Sequence, residues 1–431
     1  MKIRFLKPSQ SEVDDAFVWY NSQSFAFETN RLDNIAITLH NIRMWIARDS
    51  EALIRQFSKQ FPAVFVTGAR QVGKTSILTH LFPENSYVTL DDPDKAAFAE
   101  NAPSDFLHSL AYPVIIDEAQ YAPGLFRHIK IIIDKTKKKG QFFITGSQNF
   151  NLMQNITESL AGRTGIINLH PLSANELTKA GIMPSLEEYI SAGGFPALYG
   201  DKDVVRQQWY PSYIATYLER DVRNLLHIGN LRDFNRFLRA AAMRTGQTLS
   251  LSDLSRDVGV APNTIKSWLS VLQASNIIHL LEPYFANRGK RLVKSPKLYF
   301  LDTGLAAHMM GLYSWDEIVK SPLAGALWET YAFNQIYRHL LSQGIGNPPL
   351  YYWRTKDGAE VDFIIEKGGR FIAVEAKLTG AVGTNALKGF KAFQEYYGEG
   401  SLIRGLVICK IKEDFPLSTE ITASNGIMID F

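Results

Sequence analysis

Cysteine is nearly absent from this chain, which has a single one, Cys409, among 431 residues. A lone cysteine cannot form an internal disulfide, and it cannot build a zinc site of the cysteine type. The sequence therefore predicts a protein of a reducing compartment, the cytoplasm. We expect cores held by apolar packing, because a chain of this length needs no covalent or metal cross-links.

Long apolar runs and a large charge of one sign are also missing. No stretch approaches the roughly 18 to 20 apolar residues that a membrane-spanning helix needs, and residues 1–30 lack the apolar core of a signal peptide. The 46 basic and 43 acidic residues leave a net charge of +3. We therefore expect no membrane partner, and a nucleic acid would have to bind a local basic patch.

Short apolar runs alternate with helical segments from Phe61 onwards, which is typical of a parallel sheet with crossover helices. After the first run, the residues match the phosphate-binding pattern G-x-x-x-x-G-K-[ST]. They are Gly68, Ala69, Arg70, Gln71, Val72, Gly73, Lys74 and Thr75, followed by Ser76 in the next helix. Such a loop surrounds phosphate with backbone N–H groups, while its lysine reaches the β- and γ-phosphates and its hydroxyl ligates Mg²⁺. We expect ATP and Mg²⁺ here; the weaker alternative is an ordinary glycine-rich turn before a helix.

The apolar run at residues 114–116 ends in two carboxylates, Asp117 and Glu118. In a parallel sheet, side chains at the carboxyl end of a strand project into the ligand crevice. We expect Asp117 to hold Mg²⁺ through water and Glu118 to polarise the attacking water.

Three further residues are candidates for contact with the γ-phosphate. Ser147 is the first choice and Thr145 the second for a hydrogen bond to this phosphate or to the water, with helix capping an equally weighted alternative. Arg163 is a candidate arginine finger, and a surface ion pair is its equally weighted alternative.

Two helices joined by a turn at Gly259 are predicted between residues 249 and 272, the plan of a helix-turn-helix. A basic group follows where a wing would lie, formed by Arg288, Lys290, Arg291, Lys294 and Lys297. We expect this segment to contact DNA phosphates, with Asn263, Lys266 and Ser267 as groove readers. Packing against protein is an equally weighted alternative.

Carboxylates and a lysine recur in two strands near the C-terminal end. Alternation along a strand puts Glu375 and Lys377 on one face, and a hairpin can bring Asp362 beside them. With Glu329 from the preceding helix, they could hold a divalent metal and position water against a phosphodiester. The pattern is similar to that of the restriction-nuclease superfamily. A plain salt bridge and a degenerate nuclease fold kept for binding are the alternatives.

Together these motifs resemble a family of prokaryotic AAA-type ATPases that carry a C-terminal region of unassigned function. The segments that carry the resemblance are residues 68–75, 117–120, 145–147, 160–163 and 193–196, with 217–221 and 301–305 as landmarks of the C-terminal region. The resemblance implies an ATP-hydrolysing core, a small helical lid and a winged-helix segment. Because the finger arginine of such enzymes usually acts on a neighbouring subunit, the resemblance would give Arg163 this role only in a homo-oligomer.

The expected fold class is α/β: an AAA-type P-loop NTPase sheet with helices on both faces, a helical and winged-helix segment, and a small α/β PD-(D/E)XK-like domain. The expected parts are an unassigned segment (1–43), the ATPase core (44–170), a helical lid (171–206), the helical and winged-helix domain (207–320) and the nuclease-like domain (321–431). The favoured function is a Mg²⁺-dependent ATPase whose nucleotide state controls a DNA-binding C-terminal half. An ATP-gated metal-dependent DNA nuclease and a nucleotide-dependent switch that binds a protein partner are the alternatives.

Overall fold

The computed structural model describes residues 45–146, 159–200, 203–218, 231–284, 295–355, 358–380, 382, 384–429 and 431. Ser147 and the basic residues from Arg288 to Lys294 lie outside these ranges. Within the described ranges, no helix is long and apolar enough to cross a bilayer.

A five-stranded parallel sheet carries the phosphate loop. Its strands are β1 (Ala63–Gly68), β2 (Ser86–Thr89), β3 (Val114–Asp117), β4 (Phe142–Thr145) and β5 (Thr164–Leu169), in the order β2-β3-β4-β1-β5. The accompanying helices are α1 (Glu51–Gln60), α2 (Lys74–Leu81), α3 (Pro93–Asn101), α4 (Pro103–His108) and α5 (Leu125–Thr136). The predicted P-loop α/β fold is confirmed, with β1 between β4 and β5. Edge strand β5 was not predicted, because buried and more exposed residues alternate along it and no apolar run marks it.

Helices dominate the middle of the chain. They are α6 (Ala174–Lys179), α7 (Leu186–Ala192), α8 (Ala197–Gly200), α9 (Arg206–Tyr213), α10 (Leu231–Ala242), α11 (Leu251–Val258), α12 (Pro262–Ala274), α13 (Thr303–Met310) and α14 (Trp315–Lys320). A three-stranded antiparallel sheet of β6 (Gln247–Thr248), β7 (Ile278–Leu281) and β8 (Lys297–Phe300) packs with them in the order β6-β8-β7. Helix α11 begins at the capping residue Ser250 and ends at Gly259, which has the left-handed conformation that favours glycine. Helices α11 and α12 lie where the sequence predicts two helices joined by a turn.

The last part of the chain combines a long helix with a mixed sheet. Helices α15 (Ala324–Ser342) and α16 (Lys388–Tyr397) accompany six strands, β9 (Leu350–Arg354), β10 (Glu360–Lys367), β11 (Arg370–Lys377), β12 (Leu402–Cys409), β13 (Phe415–Pro416) and β14 (Ile421–Ser424). Their order is β13-β14-β12-β11-β10-β9. Strands β10 and β11 form an antiparallel hairpin, as predicted, and β11 pairs in parallel with β12.

Two of the sequence landmarks meet at Asp302. Its carboxylate accepts hydrogen bonds from the N–H groups of Gly194 (2.7 Å) and Leu305 (2.8 Å). A β-carbon on Gly193 would fall 2.2 Å from Asp302 Oδ1, so this position has room only for glycine. These hydrogen bonds connect the segment after α7 to the start of α13.

One apolar cluster joins the middle and the last parts of the chain. Its members include Leu172, Tyr189, Tyr299, Trp328 and Ile408, all buried. The indole N–H of Trp328 also donates to the carbonyl oxygen of Ile408 over 3.0 Å. The chain from Ile46 to Phe431 therefore forms one compact unit, and its division into functional parts stays a prediction.

Candidate functional site

The phosphate loop leaves β1 at Gly68 and enters α2 at Lys74. A β-carbon on Gly68 would lie 2.0 Å from the carbonyl oxygen of Leu169, and Gly73 has a φ of 93°, so both positions require glycine. The ammonium of Lys74 is buried and donates to the carbonyl oxygens of Ala69 (2.9 Å) and Gly68 (3.3 Å). The ammonium of Lys74 therefore lies within the loop, where the sequence predicts that phosphate binds.

Oxygen ligands suited to Mg²⁺ meet next to this loop. The Thr75 hydroxyl donates to Asp117 Oδ1 over 2.6 Å, and the Tyr87 hydroxyl donates to Asp117 Oδ2 over 3.1 Å. Hydroxyl and carboxylate oxygens are the donors that Mg²⁺ takes, so this pair fits the ion that accompanies a nucleotide. Burial, with the charge of Asp117, raises the pKa of Tyr87 to about 12, so the phenol stays a hydrogen-bond donor at neutral pH.

Glu118 follows β3 in a left-handed backbone conformation with a φ of 54°. A residue other than glycine in this region costs about 1 to 3 kcal/mol, and such strain is common at functional sites. The backbone N–H of Glu118 donates to Thr145 Oγ1 over 3.2 Å, and the amide of Gln120 donates to Glu118 Oε2. The predicted general base is therefore held through both its backbone and its carboxylate.

Thr145 does not have the free hydroxyl that a γ-phosphate contact needs. It is fully buried, donates to Asp117 Oδ1 and accepts from the N–H of Glu118. The proton of this hydroxyl is therefore already used within the protein, whereas its second-choice role towards the attacking water stays a prediction. Ser147, the first choice, stays a prediction.

Arg163 makes a two-pronged ion pair with Asp134 of α5. Its Nε lies 2.6 Å from Oδ1 and its Nη2 lies 3.1 Å from Oδ2. The hydrogen bond from Arg163 lowers the pKa of Asp134. The arrangement has the geometry of the ion-pair alternative, and the finger role stays a prediction.

Arg48 is a functional candidate that the sequence analysis missed. Its guanidinium donates to the carbonyl oxygens of Val72 (2.9 Å) in the phosphate loop and of His170 (2.5 Å) after β5. Its Nε lies 3.1 Å from Glu176 Oε1, and both side chains are buried. No motif surrounds Arg48, so only the packed structure reveals this link.

A second buried arginine, Arg338 of α15, binds the same segment two residues further along the chain. It donates to the carbonyl oxygens of Leu172 (2.8 Å) and Leu301 (2.7 Å). A cavity of about 40 Å³ lies between the two arginines, enough for about two or three waters. It is lined by atoms that have no partner in the described part of the chain, namely Ser50 Oγ, both ring nitrogens of His170 and Arg338 Nε. Burial lowers the pKa of His170 well below its usual value, so its ring is neutral.

Lys297 is buried among carboxylates and does not lie in an exposed basic wing. Its ammonium lies 2.6 Å from Glu360, 2.9 Å from Glu329 and 3.8 Å from Asp362. Burial alone would lower the pKa of Lys297, but these carboxylates raise it overall. Its predicted contact with DNA phosphate is therefore wrong, because an ammonium enclosed by three acids is not available to an outside anion.

The nuclease-like residues of β10 and β11 are brought together. Lys377 Nζ lies 2.6 Å from Glu375 Oε2 and 3.6 Å from Asp362 Oδ2, which also accepts from the N–H of Ala376 over 2.9 Å. Burial raises the pKa of Glu375 well above its usual value, and it raises that of Glu329 to about 7. Glu329 instead accepts from Tyr299 (2.5 Å) and Lys297. Over the described ranges, no three His, Cys, Asp or Glu side chains are arranged to hold a metal ion.

The predicted groove readers lie on the outer face of α12. Asn263, Lys266 and Ser267 are exposed, while Ile265 and Trp268 on the other face are buried. A further basic group that the sequence analysis missed is exposed at the end of α5, namely Lys135, Lys137, Lys138 and Lys139.

Comparison with known proteins gives matches along most of the chain. Residues 60–178 match the AAA domain, and residues 183–316 and 324–425 match two domains of unknown function, DUF8612 and DUF4143. The uncharacterized proteins Rv2008c of Mycobacterium tuberculosis and Mb2031c of Mycobacterium bovis are each 30% identical over 379 residues, which cover 87% of this chain and 82% of the relative. A Walker-type ATPase of Pyrococcus abyssi aligns with a TM-score of 0.41 and 15% identity over 61% of this chain and 95% of its own. The AAA match includes the phosphate loop, Asp117 at the end of β3 and Glu118 after it.

Proposed function

The chain belongs to the family of the two mycobacterial proteins and carries an AAA-type P-loop ATPase domain, and on that premise we propose that it hydrolyses ATP with Mg²⁺. The observation that carries the proposal is the convergence of Thr75 and Asp117, 2.6 Å apart, beside the buried Lys74 and the restrained Glu118. These are the groups that bind phosphate, hold the metal and activate water.

Each residue has a distinct task in this mechanism. The N–H groups of the phosphate loop and Lys74 bind the β- and γ-phosphates and stabilise the charge that develops on them. Thr75 and Asp117 would hold Mg²⁺, which neutralises charge on the phosphate oxygens when it is bound. Glu118 accepts a proton from the water that attacks the γ-phosphorus.

Phosphate release by purified protein tests this proposal. We expect Lys74→Ala to lose both ATP binding and turnover, and Glu118→Gln to keep binding while turnover falls at least about 100-fold. The exposed residues Lys59 and Glu84 supply matched controls, Lys59→Ala and Glu84→Gln. Phosphate release that is unchanged in both site variants would refute the ATPase.

We propose further that nucleotide state controls the C-terminal half through the two buried arginines. Arg48 connects Val72 of the phosphate loop to His170, and Arg338 connects Leu172, two residues later, to α15. A shift of the phosphate loop on nucleotide binding would therefore pass to α15 through two short contacts. Hydrogen exchange measures this coupling. In the wild type, addition of ATP should change the exchange rates of α15, and this change should disappear in Arg48→Lys.

The proposed ligand of the C-terminal half is DNA. Exposed Lys266 on α12 supplies charge for phosphate contacts in this half. We expect DNA retention that falls steeply with salt and differs between ADP and a non-hydrolysable ATP analogue. Lys266→Glu should weaken it, whereas Lys320→Glu at another exposed position should not. Retention that is independent of salt and of Lys266 would contradict DNA binding.

A metal-dependent nuclease gated by the ATPase is the second candidate. The observation that favours it is the position of Lys377, whose ammonium lies 3.6 Å from Asp362 and 2.6 Å from Glu375. The test is cleavage of linear and supercoiled DNA with Mg²⁺ or Mn²⁺, which Asp362→Asn and Lys377→Met should abolish while ATP turnover persists. Intact DNA under all these conditions would reject this candidate.

A further inference from the structure

Gln120 makes an unusual contact two residues after the predicted general base. It lies in the short 3₁₀ turn Ala119–Tyr121 that follows Glu118. Its amide nitrogen donates to Glu118 Oε2, while its carbonyl oxygen Oε1 is buried and has no hydrogen-bond partner among the described residues. The reverse orientation of the amide would set two oxygens against each other, so the carboxylate fixes which atom faces it.

The unpaired oxygen must lie beside Glu118. Oε1 and the bonded nitrogen share one carbon atom, so a hydrogen-bond acceptor stands next to the carboxylate that accepts the proton from water. A buried acceptor without a donor is unfavourable, and in native proteins such an atom calls for a functional explanation. The missing donor is supplied if a water molecule binds at Glu118.

The water that attacks ATP needs a second hydrogen-bond acceptor besides Glu118. A water that attacks phosphorus must direct a lone pair at the phosphorus atom, so both of its O–H bonds point elsewhere. Glu118 accepts one of them. The buried carbonyl oxygen of Gln120, which has no donor among the described residues, is an acceptor suited to the other O–H bond.

We propose that Gln120 orients Glu118 through its amide nitrogen and holds the attacking water through its carbonyl oxygen. This inference rests on the proposed ATPase. In the step, one O–H bond of water breaks and its proton passes to Glu118. The water oxygen bonds to the γ-phosphorus, and the bond to the bridging oxygen breaks, with its electron pair leaving on ADP. The O–H bond held by Gln120 stays intact and becomes part of inorganic phosphate.

The variant Gln120→Met tests the proposal, because methionine has similar length and neither bonding group. We expect kcat to fall by about 10- to 100-fold, while the Kd for a non-hydrolysable ATP analogue changes less than about twofold and the melting temperature does not fall. A structural residue would instead lose melting temperature together with activity. Gln247→Met, which removes an exposed glutamine, serves as the matched control and should leave all three quantities unchanged.

A double variant shows whether the two residues act as a unit. Glu118→Gln with Gln120→Met should be no slower than Glu118→Gln alone, because residues that serve one step are strongly non-additive. Full ATP turnover in Gln120→Met would overturn this inference without contradicting the proposed ATPase. So would a double variant whose loss of kcat equals the product of the two single losses. Wild-type turnover no greater than that of Lys74→Ala would overturn both.

Discussion

The hydroxyl of Thr145 accepts a hydrogen bond from the backbone N–H of Glu118 over 3.2 Å. The same hydroxyl donates to Asp117, so one buried side chain on β4 sets the positions of the last residue of β3 and of the strained residue after it. The residues proposed as metal ligand and general base are thereby both positioned by one hydroxyl of β4.

Thr145→Val should therefore reduce both stability and turnover. Valine has the same shape but leaves the N–H of Glu118 without its partner, so the free energy of unfolding should fall by about 1 to 3 kcal/mol. Thr67→Val is the matched control, because the Thr67 hydroxyl is buried in β1 and has no hydrogen-bond partner among the described residues. Its loss should not lower the free energy of unfolding. Urea denaturation measures both variants, and equal losses would contradict the role given to Thr145.

Arg48→Met should be among the most destabilising single changes in the chain. It leaves Glu176 charged, buried and without its ion-pair partner, which typically costs about 3 to 5 kcal/mol. The exposed pair of Lys179 with Asp49 spans 2.8 Å, but Lys179→Met should cost less than about 1 kcal/mol because water screens it. Chemical denaturation of both variants checks the contrast, and comparable losses would refute it.

Lys297→Met should affect folding rather than DNA binding. It leaves Glu329 and Glu360 without their ammonium partner, so the free energy of unfolding should fall by about 3 to 5 kcal/mol. The exposed Lys367 provides the control Lys367→Met, with little expected change. At a temperature where both proteins are folded, the slope of DNA retention against salt should be the same in wild type and Lys297→Met. A shallower slope in the variant would mean that Lys297 does contact DNA.

Stability should fall as the pH decreases from about 6.5 towards 4, partly because of His279. Burial against Phe333 and Tyr337 lowers the pKa of His279 to about 4, whereas the unfolded chain takes up the proton near pH 6.5. Below pH 6.5 the unfolded state therefore binds more protons, and the unfolding free energy should decrease by about 2 kcal/mol between pH 7 and pH 5. His279→Phe should remove this component, as urea denaturation at pH 7, 6 and 5 would show; an unaltered pH profile in that variant would speak against it.

The sequence predicted the parts of the fold that local pattern controls. Buried central strands such as β1 and β4 are continuous apolar runs, and the phosphate loop is recognised from its glycines, Lys74 and Thr75. The pairing of Glu375 with Lys377 followed from strand alternation. Edge strand β5 was missed because its residues alternate in burial.

Contacts between distant residues could not be predicted in this way. Arg48 and Glu176 are 128 positions apart, and nothing near either of them indicates a partner. Lys297 was assigned to a basic wing because it follows four other basic residues, yet it pairs with acids from α15 and β10. The charges of sequence neighbours indicate the surroundings of a side chain only when that side chain is exposed to solvent. Gln120, by contrast, could have been identified from the sequence, since it stands two residues after Glu118.

The apolar cluster that contains Tyr189, Trp328 and Ile408 makes the C-terminal region inseparable from its neighbours. A fragment that began at Ala324 would carry Trp328 and Tyr331 with the aromatic and aliphatic partners of α7 removed, and it would expose them to water. We therefore do not expect residues 324–431 to fold as an isolated fragment. Any ligand of this region would bind a surface whose core is completed by residues from the middle of the chain.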